Sequence, residues 1–100
     1  MIAYSARARS QLQALLAHYE SLSRTEAVRN LTTAMASAEV RIEHNPLAGL
    51  PAPRPYPWLA DLGFHWIKSQ RYWIAYTGNE PLAIVAVFHD TADIPNRIVP

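Results

Sequence analysis

Residues 63–94 read GFHWIKSQRYWIAYTGNEPLAIVAVFHDTADI and constrain the fold more than any other stretch. Trp66, Ile67, Tyr72, Trp73, Ile74, Tyr76, Ile84, Val85, Val87 and Phe88 are β-branched or aromatic, suited to a pleated, half-buried surface. Thr77-Gly78-Asn79-Glu80-Pro81 parts two apolar runs with turn residues, which predicts a hairpin of 72–76 with 82–88. Residues 82–88 are apolar at both parities, the pattern of a central strand covered on both faces. His89 and Asp90 end that run, where a buried strand surfaces. The block is expected to form three consecutive antiparallel strands. The chain before Gly63 is expected to cover them, with Val85 and Val87 buried beneath its helices.

Two helical stripes precede the block. After a short apolar piece at 1–4, long enough for an edge strand, Ser5 can cap a helix over 5–22. Ala8, Leu12, Leu15, Leu16, Tyr19 and Leu22 fall on one face of it. Ser23-Arg24-Thr25-Glu26 has the capping-box pattern, with Ser23 as N-cap of a second helix over 25–43. Ala27, Leu31, Ala34, Met35, Ala38 and Ile42 make its stripe, and Asn45-Pro46 stops it. So short a turn between the helices demands an antiparallel pair. The expected class is α+β: a two-helix antiparallel hairpin on one face of a three- to four-stranded antiparallel sheet, in the order β-α-α-β-β-β.

Residues 46–62, PLAGLPAPRPYPWLADL, hold five of the eight prolines. Pro51, Pro53, Pro55 and Pro57 alternate, which favours extended polyproline conformation. The stretch reads either as a proline-rich ligand for another domain or as a semi-rigid strap over the core, pinned by Tyr56, Trp58 and Leu59. Residues 58–62 can add a helical turn that Gly63 ends.

One hundred residues, half of them hydrophobic and 17% charged, are the content of one globular domain over 1–100. A net charge of +1 gives no broad basic footprint for nucleic acid. The absence of cysteine removes disulfides and thiolate metal sites, and fits a reducing cytoplasm. No apolar run approaches the ~18 residues of a membrane span, and the N-terminus has no signal-peptide apolar core. A cytoplasmic protein without membrane partners is expected.

Four stretches carry a family resemblance. Tyr4-Ser5-Ala6-Arg7-Ala8-Arg9-Ser10-Gln11-Leu12 leads from a strand through serine into a helix. Ile42-Glu43-His44-Asn45-Pro46-Leu47-Ala48-Gly49 leaves the second helix through Asn-Pro and a glycine. Tyr72-Trp73-Ile74-Ala75-Tyr76 is a strand with tyrosine at each end. Val85-Ala86-Val87-Phe88-His89-Asp90-Thr91-Ala92-Asp93-Ile94 ends a strand on histidine, with Asp93 beyond it. In order and spacing these stretches, which cover nearly the whole chain, resemble the RelE/ParE superfamily of type II toxin–antitoxin toxins. The last resembles its ParE-like members. His65 and Thr77 stand where ParE-like members tend to carry Arg. Lys68 and Arg71 are the basic residues near the sheet face where RelE-like ribonucleases carry several. Asp90 and Thr91 replace the basic residues expected after the histidine.

The resemblance implies a toxin of a plasmid- or chromosome-stabilising system that binds DNA gyrase, is neutralised by a cognate antitoxin and needs no cofactor. His65, Lys68, Arg71, His89 and Asp93 are its candidate target-binding residues, and Leu12, Leu16, Tyr19 and Trp73 its candidate antitoxin-binding residues. A homodimer or a toxin–antitoxin heterotetramer is the implied assembly. The alternative is a RelE-like endonuclease acting on ribosome-bound mRNA; a third is a degenerate toxin that keeps antitoxin binding alone. Metal-free RNA cleavage needs a base for the 2′-OH, an acid for the leaving oxygen and a cation for the phosphorane. His89 or His65 is the candidate base, and Arg71 and Lys68 the candidate clamp. Set against this, His89 is also the polar terminus of a strand, free to bond backbone or Asp93. His65 is equally a packed or surface histidine, while His18 and His44 fall on solvated helix faces. His89, Asp90 and Asp93 lack a matching second ligand cluster, so no metal site is expected.

Overall fold

The computed structural model describes residues 2–98, so Met1 of the expected first strand lies outside the described residues. A short strand β1 (Ala3–Tyr4) leads into α1 (Ala6–Ser21) and α2 (Thr25–His44). Two 3₁₀ turns follow, Pro46–Ala48 and Pro57–Leu62. Then come β2 (His65–Ser69), β3 (Tyr72–Tyr76), β4 (Ala83–His89) and a short terminal helix α3 (Ile94–Ile98). The four strands form one sheet in the order β1-β4-β3-β2. β2, β3 and β4 are antiparallel neighbours, as expected, but β1 lies parallel to β4, so the sheet is mixed. The cause is the helix pair, which returns the chain to the end of the sheet where it began. Tyr76 O–H donates to Pro46 C=O there, at 2.7 Å. No helix among the described residues is long and apolar enough to cross a membrane.

Ser5 caps α1, accepting Ala8 N–H on its Oγ at 3.1 Å. The α2 stripe buries Leu31, Ala34, Met35, Ala38 and Ile42, as its spacing dictates. The capping box does not form. Ser23 has φ 54, in the left-handed region, and Arg24 is the N-cap of α2 with no side-chain cap bond. Closure of α1 outcompetes it. Ser23 N–H donates to Glu20 C=O at 3.0 Å and Arg24 N–H to Tyr19 C=O at 2.9 Å, the two bonds of a Schellman motif with Ser23 in the position glycine usually takes.

The sheet separates two cores. Against the helices lie Ile67, Tyr72, Ile74, Tyr76, Ile84 and Val87. On the other face Trp66, Trp73, Ala75, Ala86 and Phe88 pack under Ala52 and Leu59 of the proline-rich stretch and Ile94 and Ile98 of α3. That stretch is thus a strap, and its 3₁₀ turn ends at Gly63 with φ 76. Of the basic residues expected near the sheet face, Lys68 lies on the covered strap face and Arg71 in the exposed β2–β3 turn.

Val85 is not beneath the helices. The register runs Ala75↔Ala86 and then Tyr76↔Ile84, so Val85 is the extra residue of a β-bulge. A bulge breaks the alternation of faces. Val87 stays under the helices, while Val85 turns to the strap face and is half-buried.

Candidate functional site

The register Ser69↔Tyr72↔His89 brings the ends of β2 and β4 to one end of the sheet. Lys68, Arg71 and His89 meet there, around Asp90. Lys68 Nζ lies 3.3 Å and Arg71 Nη1 3.7 Å from Asp90 Oδ2, and His89 Nδ1 lies 3.3 Å from Asp90 Oδ1. Lys68 projects on the strap face, its Nζ 5.8 Å from the Trp73 ring centre. His89 projects on the helix face, edge-on to Tyr72 at 5.4 Å. Asp90 is the group that joins the two faces. Its backbone N–H donates to Arg71 C=O at 2.7 Å, its side chain is 17% exposed, and Oδ1 has no hydrogen-bond donor. In the sequence Asp90 reads only as a replacement for an expected basic residue and as part of an unmatched ligand cluster. Its role depends on register, and the only local signal is a carboxylate at the exit of an apolar strand.

The His89 ring is oriented by Thr91, not by Asp93. Thr91 N–H donates to Nδ1 at 3.2 Å and Thr91 Oγ1 lies 2.9 Å from it. Nδ1 thus lies between the Thr91 backbone and Asp90 Oδ1, so that edge of the ring is occupied. Both clamp cations sit on a carboxylate. The arrangement offers a partner surface hydrogen-bond donors and two cations gathered around one carboxylate.

Beside this cluster a cleft of about 850 Å³ separates the α1–α2 turn from the sheet end, lined among others by Arg24, Asn30, Arg71 and His89. Its inner wall holds a buried hydroxyl pair, Tyr19 Oη to Tyr72 Oη at 2.7 Å. Burial, and then the bond to Tyr19, push the Tyr72 hydroxyl well above the ordinary tyrosine range. Arg24 stacks over Tyr19 with Cζ 5.4 Å from the ring centre.

The other expected site residues are dispersed. His65 pairs with Tyr76 at the opposite end of the sheet, where its ring packs on Tyr76 at 5.5 Å and against Gly78, whose lack of a Cβ makes room for it. Asp93 is exposed and accepts from Asn96 Nδ2. Of the expected antitoxin contacts, Tyr19 and Trp73 are buried, the latter under the strap with Arg54 Cζ 5.5 Å from its ring centre. Leu12 and Leu16 are half-buried and line an apolar groove between α1 and α2, floored by Leu31 and Met35. Leu22, Val40, Leu47, Trp58 and Leu62 are exposed; Leu22 thus leaves the expected α1 stripe, and the strap is pinned by Tyr56 and Leu59 but not by Trp58. Among the described residues no group of three or more His, Cys, Asp or Glu is placed to hold a metal ion. No protein-family model matches the chain, and no curated protein matches it in sequence.

Proposed function

We propose that this chain is the toxin of a type II toxin–antitoxin pair, of the ParE-like kind, which poisons DNA gyrase by contact in the cytoplasm and is neutralised by a cognate antitoxin. Supporting the family is the element order β-α-α-β-β-β, to which the short α3 is added, with each of the four resembling stretches at its expected junction. What carries the choice of binding over cleavage is Asp90. It engages Lys68 and Arg71 at 3.3 and 3.7 Å, and Thr91 occupies Nδ1 of His89. A ribonuclease centre needs a free base and a cation free to meet the phosphorane. A surface that binds gyrase needs shape and charge complementarity instead.

Controlled expression in growing cells tests this. The expected outcome is DNA-damage signalling and filamentation with intact mRNA, unchanged by His89→Ala. Cuts in ribosome-bound mRNA by primer extension that vanish with His89→Ala would replace this reading with the RelE-like enzyme. Absence of toxicity, with antitoxin binding retained, would leave the degenerate toxin.

A further inference from the structure

The outer edge of β4 is filled by β1 only at Ala83 and Ile84. Beyond them, side chains of the α1 region stand in for a strand. Ser5 Oγ–H donates to Val85 C=O at 3.2 Å, and Gln11 Oε1 accepts Val87 N–H at 2.9 Å. In an antiparallel ladder, residue pairs alternate between those that bond across and those whose N–H and C=O point away. Val87 N–H goes to Gln11, so Val87↔Ile74 is a pair of the second kind. Two residues on, His89↔Tyr72 is another. The bond from Asp90 N–H back to Arg71 C=O fits the same alternation. Val87 C=O and His89 N–H therefore face outward. His89 C=O is taken by Ala92 N–H, but no hydrogen bond from a described residue closes the other two.

They open into a slot of about 480 Å³ between α1 and α3, with an apolar floor of Leu15, Val87, Phe88 and Ala92. A residue whose N–H meets Val87 C=O and whose C=O meets His89 N–H sits opposite Phe88 in parallel register. β1 makes the first half of that pattern at Ala3, whose N–H donates to Leu82 C=O at 3.3 Å. Among the described residues the slot walls carry Arg97 and the imidazoles of His18 and His89, and no carboxylate. Asp90 and Asp93, which follow β4, are engaged with Lys68 and Arg71 and with Asn96.

We propose that this free edge of β4 docks an extended, carboxylate-bearing peptide segment of a partner protein, parallel to β4 and in line with β1. Main-chain bonds at Val87 and His89 hold it, the apolar floor takes one side chain, and Arg97 takes a carboxylate. The edge is present whatever the chain's target, so the proposal does not rest on gyrase binding.

The test is amide hydrogen exchange by NMR on the full chain, with a soluble heptapeptide alternating glutamate and valine and its lysine counterpart. The His89 amide is expected to exchange freely in the isolated protein. The glutamate peptide should slow it by about tenfold, and the lysine peptide should slow it far less. Ala14 is exposed at the slot mouth, so Ala14→Trp should keep the melting temperature and lose the protection. Arg97→Glu, also at an exposed position, should reverse the peptide preference. No protection at millimolar peptide, or equal protection by both peptides, would overturn the proposal. Protection that grows with protein concentration and without peptide would overturn it in favour of a second copy on this edge.

Discussion

Val85 and Val87 are two residues apart on one strand, and a regular strand would put both under the helices. The bulge separates them, so the pair Val85→Ala and Val87→Ala tests it directly. Val87 is 2% exposed and packed against the helix layer. Its truncation removes two methyl groups from burial at about 0.8 kcal/mol each, and the residual cavity brings the loss to about 2–3 kcal/mol. In a domain of this size 1 kcal/mol moves the melting temperature by roughly 4–8 °C. Val87→Ala should therefore melt about 10–20 °C lower. Val85 is half-buried on the strap face, and its truncation should cost under about 1 kcal/mol, a few degrees. The aspartate forms widen the gap. Val87→Asp buries an unpaired charge, a cost comparable to the ~5–15 kcal/mol that holds a domain together, whereas Val85→Asp should stay folded. Thermal and urea melts followed by circular dichroism, with an unchanged urea slope, give the comparison. Equal losses at the two positions, or a larger one at Val85, would refute the face assignment.

The tyrosine pair gives a second test. Tyr19→Phe should cost about 1–2 kcal/mol by stranding the Tyr72 hydroxyl, and adding Tyr72→Phe should cost little more, as a double-mutant cycle will report. Lys68→Ala with Arg71→Ala should destabilise by about 1–3 kcal/mol, because the Asp90 carboxylate loses both cations; Asp90→Asn in that background should recover most of it. Burial holds the hydroxyls of Tyr4, Tyr72 and Tyr76 neutral above the ordinary tyrosine value, helped at Tyr4 by its bond to Glu39 and at Tyr72 by its bond to Tyr19. The folded state then binds these protons more tightly than the unfolded state, so their contribution is full below about pH 10 and is lost as pH rises above it. Denaturant melts across that range should show the fall, and Tyr4→Phe should make it shallower.

What the sequence revealed follows the range of the forces involved. The helices and the β3–β4 hairpin were legible because their signals are local: a 3.6-residue stripe, a turn between two apolar runs. The α2 cap was misread because Ser23 serves two local motifs, and the closure of α1 wins. The bulge was hidden because residues 82–88 are apolar at both parities, so no polar residue marks the change of face. Lys68, Arg71 and His89 were marked as site residues, but Asp90, which joins them, was weighed only as a replaced basic residue and a rejected metal ligand, since their meeting depends on strand register. Tyr19 and Trp73 were taken for contact residues because large aromatic residues suit interfaces as well as cores. Only the long-range partners, Tyr72 for one and the strap for the other, decide that they are buried.

Gyrase binding without RNA cleavage, the proposed function, has a direct biochemical readout. The most direct measurement is DNA supercoiling by purified gyrase with increasing amounts of the purified protein, run beside its His89→Ala form. Both forms are expected to inhibit supercoiling and trap cleaved DNA at similar concentrations, with the cognate antitoxin reversing the effect. Undiminished supercoiling at a large molar excess of a folded, toxic protein would contradict the proposed function.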